Sequence, residues 1–465
     1  MRITLIKPRM GTADNALYVE ESRMEPLTLG VIGALTPPDV DVKLYDDRME
    51  AIPYDEPTDL VGITVETWTA RRSYQIAAEY RKRGVQVILG GMHPTLVPDE
   101  AQAYADSVFT GDAEQGWTDV VADAKAGRLK PRYCAQPGVA QAPRVLPRRD
   151  LYVGKGYLPI SLLQFSRGCH FACSFCAISA FFDRKVFHRH IDQVLEELER
   201  RDHKMVFFVD DNFCANREHA KEMCRAMIPL KLKWVSQSSI DMTLDRELMS
   251  LLADSGCLGH VVGFESLNAA DLKGMRKAAP NLSVHRDPLY ARQLEVLRDH
   301  GLQTWASFTF GHDTDTIDTI WRTLDWAIAQ KFAFGAFNIL KPYPNTPLYR
   351  TLEAEGRLLW DGRWWNHPEY RFNHAAFTPR NIDPQQLTDA LAEARRIWSA
   401  PLTMLKRFLD LKTHMRTPYR MAVYWAYNPV YGRENARKQG MKFGLDSSTP
   451  SYAQYVRQRP GGRTR

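Results

Sequence analysis

Two series of short apolar runs, nearly every run followed by an amphipathic stretch, constrain the fold of this chain more than any other feature. Such alternation is the mark of βα units around a parallel sheet, in which strands are buried on both faces and helices keep one face wet. In the first 135 residues ITLIKP, DVKLYD, LVGITVE, VQVILGG and SVFTGD read as strands, with helices expected over 26–35, 70–83 and 99–104. Five strands with helices between them make an α/β domain with a doubly wound, Rossmann-like parallel sheet, whose ligands sit beyond the carboxyl ends of the strands. Residues 136–158, rich in Pro, Gly and Arg and without a period, read as a linker. Over 159–360 the alternation resumes with LLQFSRG, KMVFFVDDN, KWVSQSSI, LGHVVGFES, TWASFTFG and AFGAFNILKPYP. Six such units predict a partial (β/α)6 barrel with its chemistry on the loops that follow the strands. Over 361–465 apolar residues recur at three and four spacing, which predicts a C-terminal helical region.

Three of the seven cysteines fall within eight residues, in SRGCHFACSFCAI directly after the first expected barrel strand. Cys169, Cys173 and Cys176 have the spacing C-x3-C-x2-C, while Cys134, Cys214, Cys224 and Cys257 are isolated. Such clustering points to a metal site in a reducing compartment rather than to disulfides. Thiolates are the usual ligands of iron-sulfur clusters, and three of them on a 4Fe-4S cluster leave one iron open. Zinc is the rival metal, although a structural zinc site takes four closed ligands. His170, between two of these cysteines, reads as a solvated neighbour.

C-x3-C-x-Φ-C, with aromatic Phe175 before the third cysteine and a partial barrel behind it, resembles the radical S-adenosylmethionine (SAM) superfamily. The resemblance implies that the open iron is chelated by SAM, that the cluster's electron breaks a C–S bond to give a 5′-deoxyadenosyl radical, and that Phe175 packs near the adenine. It also implies a reductant such as flavodoxin or ferredoxin. The remaining strand ends are polar where a barrel presents its active site: Asp210, Asp211 and Asn212, then Gln237 to Ser239, then Glu265 and Ser266. By the same resemblance Asp210, Gln237, Ser239 and Glu265 contact SAM. Asn338, Lys341, Tyr343 and Asn345 end the sixth strand and face substrate in this reading, with Asp210, Asp211, Lys341 or Tyr343 supplying acid help.

The order of Rossmann-like domain, linker, barrel and helical tail is similar to that of radical SAM enzymes with a cobalamin-binding domain. Matching stretches are EPLTLGVIGAL, LYDDRMEAI, ITVETWTARRSYQIA, GGMHPTLVPDEA and GDAE. Where a cobalamin domain offers D-x-H-x-x-G, with the histidine on cobalt, this chain reads Asp46-Asp47-Arg48-Met49-Glu50-Ala51. Arg48 keeps its proton and is no cobalt ligand. Many relatives lack that histidine, so cobalamin stays among the expected cofactors. Gly90 and Gly91 allow a ligand close to the backbone, whereas Trp68 is placed to fill the space a corrin would take.

Two enzymatic functions follow. One abstracts hydrogen from a polar small molecule and releases water, as in the radical SAM diol dehydratases of aminoglycoside deoxygenation; the other is a cobalamin-dependent methyltransferase. A non-catalytic iron-sulfur electron carrier is the third reading. Residues 401–465 carry 13 Lys and Arg against 3 Asp and Glu, more excess charge than the whole chain's +6. A nucleic-acid surface is one account of that tail, and a solvated helical face with a frayed end is the other. Trp364, Trp365 and His367 are candidates to wall a substrate pocket or to form a packing seam. No eighteen apolar residues are consecutive and the first residues lack a secretory pattern, so the expectation is a cytoplasmic protein.

Overall fold

The computed structural model describes residues 1–13, 16–17, 20, 22–135, 145–277 and 290–445. The expected linker's first part and the end of the basic tail lie outside the described residues. The chain forms two compact units: Met1–Leu158 with Trp360–Phe372 and Arg437–Arg465, and Pro159–Leu359 with Asn373–Ala436.

The first unit is built on six parallel strands: β1 (Arg2–Lys7), β2 (Asp41–Asp46), β3 (Leu60–Thr64), β4 (Gln86–Gly90), β5 (Ser107–Thr110) and β6 (Arg132–Cys134). They lie in the order β2-β1-β3-β4-β5-β6. Central β1, β3 and β4 are apolar and buried on both faces, as helix-covered parallel strands must be, whereas edge strand β2 alternates exposed and buried residues. The chain leaves β1 toward one side for β2 and returns to the other for β3, which makes the carboxyl ends of β1 and β3 a switch point. The sixth strand was not expected: three residues with one buried side chain carry too little period to be read.

The second unit holds β7 (Ile160–Leu163), β8 (Met205–Phe208), β9 (Lys233–Gln237), β10 (Cys257–Glu265), β11 (Gln303–Phe310) and β12 (Phe334–Ile339). All pairs are parallel and the spatial order is the sequence order, the arrangement of a partial (β/α) barrel. Its core stacks Phe208, Trp234, Phe264, Phe308 and Phe337 between the sheet and its helices. One expected strand is corrected: LLQFSRG is not continuous. It stops at Leu163, and Ser166–Gly168 turns away to pair antiparallel with Val186–His188. Among the described residues no helix is long and apolar enough to cross a membrane.

Candidate active site

The break in LLQFSRG is caused by the strand next to it. Asp210, fully buried just past β8, accepts the backbone N–H of Phe165 at 3.0 Å, the N–H of Ser166, and the Ser166 hydroxyl at 2.6 Å. Asp211 accepts the Gly168 N–H at 2.7 Å. The two carboxylates thus take the backbone donors that leave the sheet and aim the following residues, Cys169 to Cys176, across the carboxyl end of the barrel. Burial pushes the Asp210 carboxyl up to about 7, against the lowering effect of its three donors.

The cysteine loop is held at three further points. Ser174 N–H donates to Met275 O at 2.8 Å, Leu348 N–H donates to Ser174 O at 2.9 Å, and the Asn212 amide reaches Cys169 Sγ at 3.7 Å. Burial raises the pKa of all three thiols, Cys173 to about 12, so the thiolates need a positive partner. A metal supplies it, since ligation deprotonates cysteine outright. Among the described residues no three His, Cys, Asp or Glu side chains converge on a single ion. Cys169, Cys173 and Cys176 stand on one loop and would hold an iron-sulfur cluster through their thiolates. Within this unit Cys214, Cys224 and Cys257 are buried in the hydrophobic core, so none of them completes the set.

Around the loop the expected SAM residues fall on adjoining strand ends. The Ser239 N–H donates to Asn212 Oδ1 at 3.2 Å, and Gln237 Nε2 donates to Asp210 O at 3.3 Å. The hydroxyl of Ser239 is buried without a hydrogen-bond partner, while the Ser238 side chain meets the Cys214 thiol. Buried polar atoms left unmatched mark places where a polar ligand belongs. Glu265 sits at φ +65°, in a β-bulge at the end of β10, a conformation that costs a non-glycine residue about 1–3 kcal/mol. It pairs with Lys277 at 2.9 Å. Phe175 packs against the core of this unit. Lys341, past β12, is 8% exposed and donates to His374 O at 2.8 Å; burial and nearby Arg395 bring its pKa down to about 7. Tyr343 is half-buried in the same turn, which the Thr346 hydroxyl closes by donating to Tyr343 O at 2.7 Å. Lys277 was missed in the sequence, where nothing marks it among the charged residues around it.

In the first unit a cavity of about 260 Å³ lies at the switch point, lined among others by Lys7, Glu20, Arg48, Glu66 and Trp68. Arg48 is bound to Asp46 at 2.6 Å and to Glu20 at 2.6 Å, so the position of the missing histidine is occupied by a buried ion-pair network. Trp68 packs on Trp364, Phe372 and Phe443. Trp364 and Trp365 are 0% and 2% exposed inside this unit and do not wall an open pocket, while His367 is half-buried against Trp360. Gly91 has φ +106°, and a Cβ there would meet Val65 O at 3.0 Å, so packing alone requires that glycine. Gly90 has ordinary room. Thr67 Oγ1 after β3 and His93 Nδ1 after β4 are buried without partners, on loops joined by the His93 N–H to Val65 O bond of 3.1 Å. Two unmatched buried polar atoms on these loops fit a polar ligand bound there, and Thr67 and His93 would be its hydrogen-bond partners.

The radical SAM superfamily profile matches residues 163–327. Bacteriochlorophyllide d C-8(2)-methyltransferase of Chlorobaculum tepidum is 30% identical over 363 residues, 72% of this chain and 78% of the relative. The C-12(1)-methyltransferase of the same organism is 28% identical over 406 residues, 84% of this chain and 86% of that one. This chain belongs to the radical SAM superfamily. It is a radical SAM enzyme whose cofactors are a 4Fe-4S cluster and SAM. In fold it matches the methyltransferase TsrM from Kitasatospora setae, solved with cobalamin and [4Fe-4S] cluster bound, with TM-score 0.66 at 16% identity over 94% of this chain and 99% of that one. It also matches the cobalamin-dependent enzyme OxsB, with TM-score 0.64 at 13% identity over 94% of this chain and 72% of OxsB.

Proposed function

We propose that the chain is a cobalamin-using radical SAM methyltransferase acting on a small molecule. The observation that carries this reading is the reach of the likeness: the two methyltransferase relatives match along 84% and 72% of the chain rather than over the cysteine motif alone. The two unmatched polar atoms on the loops after β3 and β4, Thr67 Oγ1 and His93 Nδ1, support it. Cobalamin, when bound, supplies a metal centre able to take up and release a methyl group. Thr67, Trp68 and His93 would hold it, beside the Gly90–Gly91 turn. In the second unit Cys169, Cys173 and Cys176 would hold the cluster, and Ser239 and Glu265 would orient SAM. Asp210 and Asp211 fix the loop on which the cysteines stand. A small one-electron protein such as a flavodoxin or ferredoxin serves as reductant.

Lys341 favours a second reading, hydrogen abstraction followed by loss of water from a polar diol. A buried lysine whose pKa lies near 7 can hold or give a proton at neutral pH, which is what departing hydroxide requires. In that reading Lys341 is the acid, with Tyr343 in the same turn past β12. One experiment separates the two. Protein produced with cobalamin and reconstituted anaerobically should retain corrin absorbance and form S-adenosylhomocysteine from SAM. Formation of 5′-deoxyadenosine without S-adenosylhomocysteine, in protein that holds no corrin, would replace the first reading by the second.

A further inference from the structure

We propose that Lys277 is the charge partner of the cluster, a cation built into the site to favour its reduced state. This inference rests on the superfamily chemistry alone and holds for methyl transfer and dehydration alike.

The geometry that places Lys277 is specific. The backbone two residues before it, Met275 O, accepts the Ser174 N–H at 2.8 Å, so the lysine is tied to the middle of the cysteine loop. Its ammonium is then fixed by Glu265 at 2.9 Å, and both side chains are largely buried, at 14% and 10% exposure. Gly263 makes room for the pair: a Cβ there would lie 2.2 Å from Glu265 Oε1 and 2.9 Å from Lys277 Nζ. Glu265 holds its left-handed backbone while making this pair. Burial alone would lower the Lys277 pKa, but Glu265 and then Cys173 hold it above the ordinary lysine value, and the ammonium in turn favours the thiolates of Cys173 and Cys169.

Reduction adds one electron to a cluster that three thiolates already make anionic, and no bond forms or breaks; the electron comes from the one-electron protein reductant. In a site with little water a fixed ammonium stabilises the added negative charge more than it would at the surface. Glu265 cancels part of that effect. Lys277 and Glu265 are therefore opposed in their influence on the cluster, although as hydrogen-bond partners they support each other.

That opposition gives the test. Full-length protein, reconstituted anaerobically without SAM, is titrated reductively while the reduced cluster is followed by electron paramagnetic resonance. Lys277→Met should shift the midpoint potential negative, Lys277→Arg should restore it, and Glu265→Gln should shift it positive. A pair that only braces the loop would move both variants in one direction or neither, and either result would overturn the proposal. If Lys277→Met fails to hold iron, Glu265→Gln decides alone: an unchanged or more negative potential refutes the assignment.

Discussion

Replacing Lys341 by methionine should flatten the stability of the chain between neutral and alkaline pH. Burial and Arg395 depress this lysine from 10.5 to about 7 in the folded protein. Between those values the unfolded chain binds a proton that the native chain does not, so native stability rises with pH across the window. Each unit of pH inside it contributes about 1.4 kcal/mol. From pH 7.5 to 9.5 the wild type should therefore gain about 2.7 kcal/mol over Lys341→Met. Loss of the bond to His374 O costs the variant a further 0.5–1.5 kcal/mol or so at every pH, and so shifts the difference without changing its slope. Matched guanidinium unfolding curves of the two proteins at a series of pH values measure that difference. A gap that stays constant from pH 7.5 to 9.5 would refute the placement of Lys341 as a buried, neutral-poised amine, and with it the basis for acid chemistry at that strand end.

Asp210→Ala leaves three donors at Phe165 and Ser166 without their acceptor, each orphaned donor costing about 1–3 kcal/mol; iron bound per chain after reconstitution should fall, and full iron content would contradict the clamp. Arg48→Met leaves buried Asp46 to the side chain of Tyr157 and half-buried Glu20 to that of Lys438, and should lower stability by about 2–4 kcal/mol at pH 7, seen as a lower melting temperature. Gly263→Ala drives a methyl group into the Glu265–Lys277 pair; weaker SAM binding by equilibrium dialysis is expected, and unaltered affinity would show that the pair does not shape that site.

The first sheet was legible because its central strands are buried on both faces and so appear as apolar runs, and the second because each of its strands keeps one face buried and nearly all are followed by an amphipathic stretch. What the sequence concealed depends on partners far along the chain. The turn at Phe165 exists because Asp210, 45 residues later, takes its N–H. Trp364 and Trp365 return to the first unit through contacts with Trp68 and Glu100, which no local period encodes. Cys169, Cys173 and Cys176 were readable from spacing, since cluster ligands on one loop keep a fixed separation. Lys277 was not, because its meaning comes from Glu265 and the cysteine loop rather than from its neighbours in sequence.

The most direct measurement of the central claim is the paramagnetic resonance spectrum of the reduced, reconstituted protein before and after SAM is added. A cluster of about four irons held by only three protein thiolates should change its signal as SAM occupies the open iron, and methionine should be released. A spectrum indifferent to SAM, or one that persists after all three cysteines are changed to serine, would contradict it.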